Sequence, residues 1–332
     1  MPLNRKIALV AWDRQLSGKG TAAATARYGF GLTQGSVLST EMTQGPTPLT
    51  IVDRLPPSVQ RTGFQHSVEC ESLLWPKSAP LLLFGALGSI ATTGSSDPFM
   101  HTITPAVNLP YLTAFGRLDT EYHRVRDCKV DELTLSWDRR ELLRARMRAV
   151  GTVAALYQPA FTVTNDESKD QSFFPAGGTF EVETLGSTPA LADVIGGELM
   201  IRNNLIPIEL SRSLEPDDVW PGGHDITFRL RLIPDDTTLW RKIITGSASG
   251  TGITQSPVYG SFHLKFQIQA SPERSLDIVA GRVAFRGEYP ESSPDGGPVE
   301  LEIEGNVVSP TSGAAITAAI KNDVPASGYN GS

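Results

Sequence analysis

The sequence predicts a mainly β protein made of two tandem β-sandwich or barrel units, each carrying one short α-helix. Three observations carry that prediction. Apolar and polar residues alternate with period two over many short stretches, as half-buried strands require. A strand-like run, a short helix closing on glycine and a further train of strands occupy residues 64–151, and the same succession recurs at 224–309. The 332 residues suffice for two cores, since single cores stop growing at about 250 residues.

Taken in order, residues 1–48 are rich in Gly, Thr, Ala and Gln and read as an extended arm with short strands at 7–12 and 28–32. The first unit spans 49–164. Residues 65–71 alternate and lead into Ser78-Ala79-Pro80, a helix start with proline in the tolerated first turn. Leu83, Phe84 and Leu87 fall at helical spacing, and Gly88 supplies the left-handed C-cap. Strands follow at 111–118 and through Val130, Leu135 and Trp137. Arg144, Arg146 and Arg148 then alternate with Ala145, Met147 and Ala149; a basic helix over 139–150 is the alternative, and strict alternation favours a strand.

Residues 165–172, polar and without periodicity, are the expected linker to a second unit at 173–309. There, residues 180–183 read as a strand and 225–233 alternate cleanly. Asp235, in Pro234-Asp235-Asp236, opens a helix whose apolar face is Leu239, Trp240, Ile243 and Ile244 and which Gly246 closes. Residues 262–270 correspond to 111–118, and Ile278, Val283 and Phe285 overlay on Val130, Leu135 and Trp137. The last strands match most closely but invert charge: Glu300, Glu302 and Glu304 stand where the first unit has its three arginines. The tail, 310–332, is rich in Ala, Gly and Ser and is expected to be peripheral.

Composition narrows the function. Thirty-six acidic against 29 basic residues give a net charge of −7, which argues against a surface that grips phosphate backbones but not against one that nucleic acid slides past. Two cysteines, Cys70 and Cys128, cannot build a disulfide framework or a four-thiolate zinc site. No signal peptide is visible, and the longest apolar stretch, 79–87, is far short of the ~20 residues that cross a bilayer. A protein kept in solution, with no membrane contact, is expected.

Motifs of catalysis and ligand binding fail on spacing. Gly18-Lys19 lacks the earlier glycine and the following Ser/Thr of a phosphate-binding loop, and Gly29-Phe30-Gly31 lacks the context of a dinucleotide fingerprint. Gly246-Ser247-Ala248-Ser249-Gly250 puts alanine where a nucleophile elbow needs serine. His66 and Cys70 share a strand face without a third metal ligand nearby, and Glu215, Asp217, Asp218, Asp235 and Asp236 suit turns and caps. The chain therefore reads as a non-enzyme with no cofactor or metal.

The run Trp12-Asp13-Arg14-Gln15 with Gly18-Lys19-Gly20-Thr21-Ala22, the helix ending in Leu87-Gly88, Leu109-Pro110-Tyr111-Leu112-Thr113, and 127–135 together resemble tail tube proteins of long-tailed bacteriophages of the siphovirus type. That resemblance covers most of the chain. It implies a virion structural protein, made in the host bacterial cytoplasm, whose β units form rings that stack into a DNA-conducting tail. A two-unit chain implies a trimer with pseudo-sixfold symmetry; a hexamer with an outward second domain is the alternative within the family. Implied partners are the protein itself, the tape measure protein, the tail terminator and distal tail proteins, with phage DNA passing unbound.

On this reading Glu300, Glu302 and Glu304 are the candidate lumen face, with Glu181 and Glu183 second, because an acidic wall does not trap phosphates. The alternative use of the same glutamates is pairing with Arg144, Arg146 and Arg148 across a unit boundary. The arm from Arg14 and the tail are expected to contact neighbouring rings and to order on stacking. Outside the family, a β-sandwich carbohydrate-binding or adhesive protein shares the composition, and a glycoside hydrolase lacks its carboxylate pair.

Overall fold

The computed structural model describes residues 9–31, 34–46, 59–156, 158–166, 171–175, 179–184, 190–191, 194–234, 237–287 and 299–330. In chain order the first part comprises β1 (Leu9–Arg14), β2 (Ala26–Gly31), β3 (Gln34–Pro46), β4 (Val59–Leu73), α1 (Ala79–Leu87), β5 (Gly88–Thr93), β6 (Phe99–Pro105), β7 (Leu112–Leu118), β8 (Glu121–Asp138), β9 (Arg144–Gly151), β10 (Val153–Ala155) and β11 (Val163–Asp166). The rest comprises β12 (Thr179–Thr184), β13 (Ala190–Leu191), β14 (Val194–Arg202), β15 (Ile206–Ile208), β16 (Asp218–Trp220), β17 (Asp225–Leu232), α2 (Thr238–Thr245), β18 (Val258–Ala270), β19 (Glu273–Gly287), β20 (Leu301–Val307), β21 (Ile316–Asn322) and α3 (Ser327–Asn330). The mainly β class is as predicted.

One antiparallel sheet organises the molecule, in the order β3-β4-β9-β8-β14-β17-β20-β19. Each four-strand half follows the same rule. A strand (β3, β14) lies beside a strand that leads to a helix (β4 to α1, β17 to α2); then come the last strand (β9, β20) and the long one (β8, β19). β7 runs beside the first half of β8, whereas β18 runs beside nearly all of β19. Among these eight strands the order is the same in both halves. The halves join where β14 pairs with residues 132–138 of β8.

The long strands leave this sheet partway along. β8 pairs with β9 and β14 through its second half but with β7 and β10 through its first. A register shift between Val130 and Glu132 marks the corner, as a bulge that bends a strand does. β7 continues to β1, β2 and the parallel strand β11. β19 likewise passes from β20 to β21, which carries β6 and β5.

Between these layers lies α1. Its sequence, APLLLFGAL, has no polar side chain, so no face can meet water, and all nine residues are buried. Pro80 sits in the first turn, and Gly88, at φ 104°, donates its N–H to the Phe84 carbonyl. Gly85 is required by proximity: a Cβ there would lie 2.8 Å from Val130 Cγ2. α2 differs. It is amphipathic, only Ile243 is buried, and Leu239 and Trp240 pack half-buried against the core. The two helices occupy equivalent places in the chain but unequal environments. α2 begins after Thr237 and ends on left-handed Gly246; Asp235 lies outside the described residues.

Two flanking expectations are corrected. The arm contributes Val10, Trp12 and Tyr28 to the core, because β1 is clamped between β2 and β7. The tail is not peripheral: Ile316, Ala318 and Ile320 are buried on β21, inserted between β19 and β6. Its alternation was diluted by alanines, which fit a close-packed strand as well as a loose tail. The described parts of both segments are therefore built into strands of the chain's own sheets. Asn165 and Asp166, expected in the linker, end β11 against β2.

A buried polar network ties the tail to α1. Asn322 donates from Nδ2 to the Pro76 carbonyl (2.8 Å) and to Tyr329 Oη (2.9 Å), while its Oδ1 accepts from the Val324 N–H (2.8 Å). Tyr329 Oη in turn donates to the Lys77 carbonyl at 2.6 Å and its ring stacks on Tyr28. His101 Nε2 lies 2.9 Å from that same Oδ1, so it carries the proton, and Nδ1 accepts from the Thr92 hydroxyl at 2.8 Å.

Burial holds His101 below its ordinary pKa, and His66 shifts the same way for the same reason. Folding therefore favours neutral imidazole: the stabilisation is complete above the unfolded value of about 6.5 and declines as pH falls from there through the folded value. Urea midpoints should fall from pH 7 to pH 5, and His101→Gln should flatten, without abolishing, that fall. An unchanged slope in the variant would show that His101 is not a source of the pH dependence.

Candidate assembly and channel surface

The large sheet buries one face and exposes the other, and the exposed face is laced with charge. β9 shows why: Ala145, Met147 and Ala149 are buried while Arg146 and Arg148 are exposed and Arg144 is half-buried. β20 does the same with Leu301, Ile303 and Gly305 inward and Glu302 and Glu304 outward. Gly305 is enforced by the core, since a Cβ would meet the Phe228 ring at 2.3 Å. The sequence-predicted ladders thus lie on one face of one sheet, separated by β8, β14 and β17.

Neighbouring strands supply opposite charges, which favours the register. Arg146 Nε donates to Glu69 Oε1 at 2.9 Å, Arg144 Nη1 to Glu71 at 3.3 Å, and Arg148 stands 3.8 Å from Asp131. Further along, Arg202 pairs with Glu132 at 3.0 Å and Arg231 with Asp138 at 2.6 Å. Arg229 donates to Glu302 at 2.6 Å and Arg286 to Glu304 at 2.9 Å. The Arg139 backbone N–H and Arg231 hold the Asp138 carboxyl below the usual carboxylate range. Each of these seven arginines has a carboxylate within 4 Å inside its own chain.

The structure does not bring Arg144, Arg146 and Arg148 against Glu300, Glu302 and Glu304 within one chain: the arginines, Glu302 and Glu304 have other partners, and Glu300 is exposed just before β20. Glu181 is elsewhere, on β12, 3.3 Å from His263 Nδ1, while His263 Nε2 meets Asp277 at 2.5 Å. Glu183 sits opposite Ser261 in the same strand, and its side chain lies outside the described residues. Sequence reasoning missed Glu69 and Glu71. Their alternation with buried Val68 and Cys70 was readable, but the pairing with β9 depends on long-range register.

The loop that superficially resembles a phosphate site has another use. Gly20 N–H donates to Asp127 Oδ1 at 2.7 Å, Arg126 Nη1 donates to the Gly20 carbonyl at 2.6 Å, and Lys19 Nζ reaches Asp217 at 2.9 Å. Asp127 is buried at a left-handed φ of 56° and also accepts from the Thr152 hydroxyl at 3.1 Å. The groups that would hold an anion are thus turned onto carboxylates. His66, opposite Thr40, contacts its hydroxyl at 3.1 Å and Glu215 at 3.7 Å, and burial pushes the Cys70 thiol up to about 12.

At the end of β14, residues 203–224 loop out through the β15–β16 hairpin and return as β17. Together with 105–111 they line a cavity of about 680 Å³. On its floor Tyr111 Oη donates to Asp218 at 3.0 Å, and Lys129 Nζ donates to the Val219 carbonyl at 2.5 Å, 4.4 Å from the Tyr111 ring centre.

The family model described as phage tail tube protein matches residues 9–322. No curated protein matches the chain.

Asp127→Ala removes the acceptor for Gly20 and places a side chain without local polar compensation at a left-handed position. It should cost about 1–3 kcal/mol and expose Lys19 to trypsin. Asp127→Asn keeps an acceptor and tolerates the conformation, so it should protect better than alanine. Equal cleavage of wild type and alanine variant would show that Asp127 does not hold the loop.

Proposed function

The chain belongs to the phage tail tube protein family, and from that premise we propose that three copies form each ring of the DNA-conducting tube of a long-tailed phage. The observation that carries this reading is the sheet order: β3-β4-β9-β8 and β14-β17-β20-β19 are two equivalent four-strand sets fused edge to edge. Three chains supply six such sets. The joint made inside the chain by β14 on β8 has its counterpart between chains in β3 of one copy meeting the far end of the next copy's sheet, which β18 and β12 extend beyond β19. Ring closure thereby shelters sheet margins that a lone chain leaves exposed.

The unbroken β8-β14-β17 pairing favours both halves lying in one wall over a second half that decorates the outside. The polar face of this sheet is then the channel wall. Its suitability for DNA comes less from net acidity than from pairing. An isolated guanidinium attracts phosphate, whereas one held against a carboxylate presents a dipole whose field falls off quickly and is further screened by salt. Pairing of the arginine ladder with glutamates of another copy would have to replace the intrachain bonds to Glu69, Glu71 and Asp131. Self-assembly, the tape measure protein, the tail terminator and distal tail proteins are the partners this reading entails, in the virion tail.

Averaged cross-sections of purified tubes should show six lobes with a threefold repeat; six identical lobes each bearing an outer domain would establish the hexamer instead. Glu69→Gln, Glu71→Gln, Glu302→Gln and Glu304→Gln combined should leave tubes intact but free their arginines. DNA ejection from phage carrying the variant should slow several-fold, and the deficit should shrink as salt rises. Unchanged ejection at low salt would remove the channel role of this face.

A further inference from the structure

The most exposed large apolar side chains among the described residues are Val107, 88% exposed, and Ile253, 83% exposed. They lie at opposite ends of the large sheet. Val107 rims the cavity described above with Trp220, 59% exposed, at the end where β14 finishes with Arg202 and β17 starts opposite it with Asp225. Ile253 lies in the 246–257 loop, between α2, which follows the far end of β17, and β18, which begins opposite Phe285 near the far end of β19. The eight residues of β17 set these ends about 25 Å apart.

Both partners are built rather than loose. The cavity floor is fixed by Asn203, whose Nδ2 donates to the Ala86 and Val130 carbonyls at 3.0 and 2.8 Å. Its opposite charges are internally paired, Lys129 with Asp218 at 3.6 Å. The loop is stapled by the Thr254 N–H on the Ile244 carbonyl at 2.9 Å and the Gly250 N–H on the Ser247 carbonyl at 3.2 Å. Residues 246–257 carry no charged side chain, so they can enter a charge-neutral socket without stranding an ion.

We propose that the 246–257 loop of one copy inserts Ile253 into the Val107–Trp220 cavity of the copy stacked next along the axis. The proposal rests on the tube reading above and specifies its axial contact. A peg and a socket at opposite ends of the same sheet form a heterologous, non-closing interface, which is the geometry that propagates a filament. An exposed apolar pair of this kind is otherwise a liability in water.

The test uses the full chain carrying Val107→Cys and Ile253→Cys; the native Cys70 and Cys128 are buried and give little background. Oxidation of assembled tubes should produce a ladder of covalent multimers on a non-reducing gel, absent from either single variant. A mixture of the two single variants should stop at dimers. As an independent measurement, Ile253→Asp should lower tube yield at least tenfold while the monomer melts as wild type does. Normal tubes from the double-cysteine chain without a ladder, or Ile253→Asp tubes at wild-type yield, would overturn the docking alone. Failure of the wild-type chain to form tubes at all would overturn the tube reading beneath it.

Discussion

A nine-residue helix without a polar side chain must be surrounded, and that requirement shapes the molecule. α1 cannot lie on a surface as α2 does, and it is packed among β5, β6, β8, β14 and β21. The C-terminal strand is thereby drawn back across the whole sequence. The His101–Asn322–Tyr329 network closes the polar ends of this packing, so that the backbone carbonyls of Pro76 and Lys77 leading into the helix are not buried without donors.

The exposed side of the large sheet obeys a different constraint. Long charged side chains on adjacent strands stand a few ångströms apart, and like charges there would oppose the register. Opposite charges facing each other resolve this: glutamates on β4 against arginines on β9, Glu132 on β8 against Arg202 on β14, and Arg229 on β17 and Arg286 on β19 against glutamates on β20. Each exposed pair adds little stability, about 0–1 kcal/mol. On the proposed reading of this face as the channel wall, their larger effect is on the field that a passing polyanion meets.

Local chemistry was legible in the sequence and long-range pairing was not. Pro80 and Gly88 bracket α1 because first-turn proline and left-handed glycine act within a few residues. The alternation of β9, β17 and β20 was equally visible. β14 was not, because Gly196 and Gly197 blur its alternation where the Trp137 and Leu230 side chains cross it. β21 was hidden by alanine, and β11 is a strand only because β2 lies beside it. For the candidate surface, the arginines and glutamates were found as ladders, but their partners are set by a register that no local signal encodes.

The joint between the halves is seven residue pairs long, from Arg202 opposite Glu132 to Gly196 opposite Asp138. That continuous strand pairing lets the described strands of the two halves bear load as a single plate. Flexure of any structure assembled from this chain must therefore be accommodated where copies meet, and stiffness within each copy comes from the hydrogen-bonded ladder across this joint.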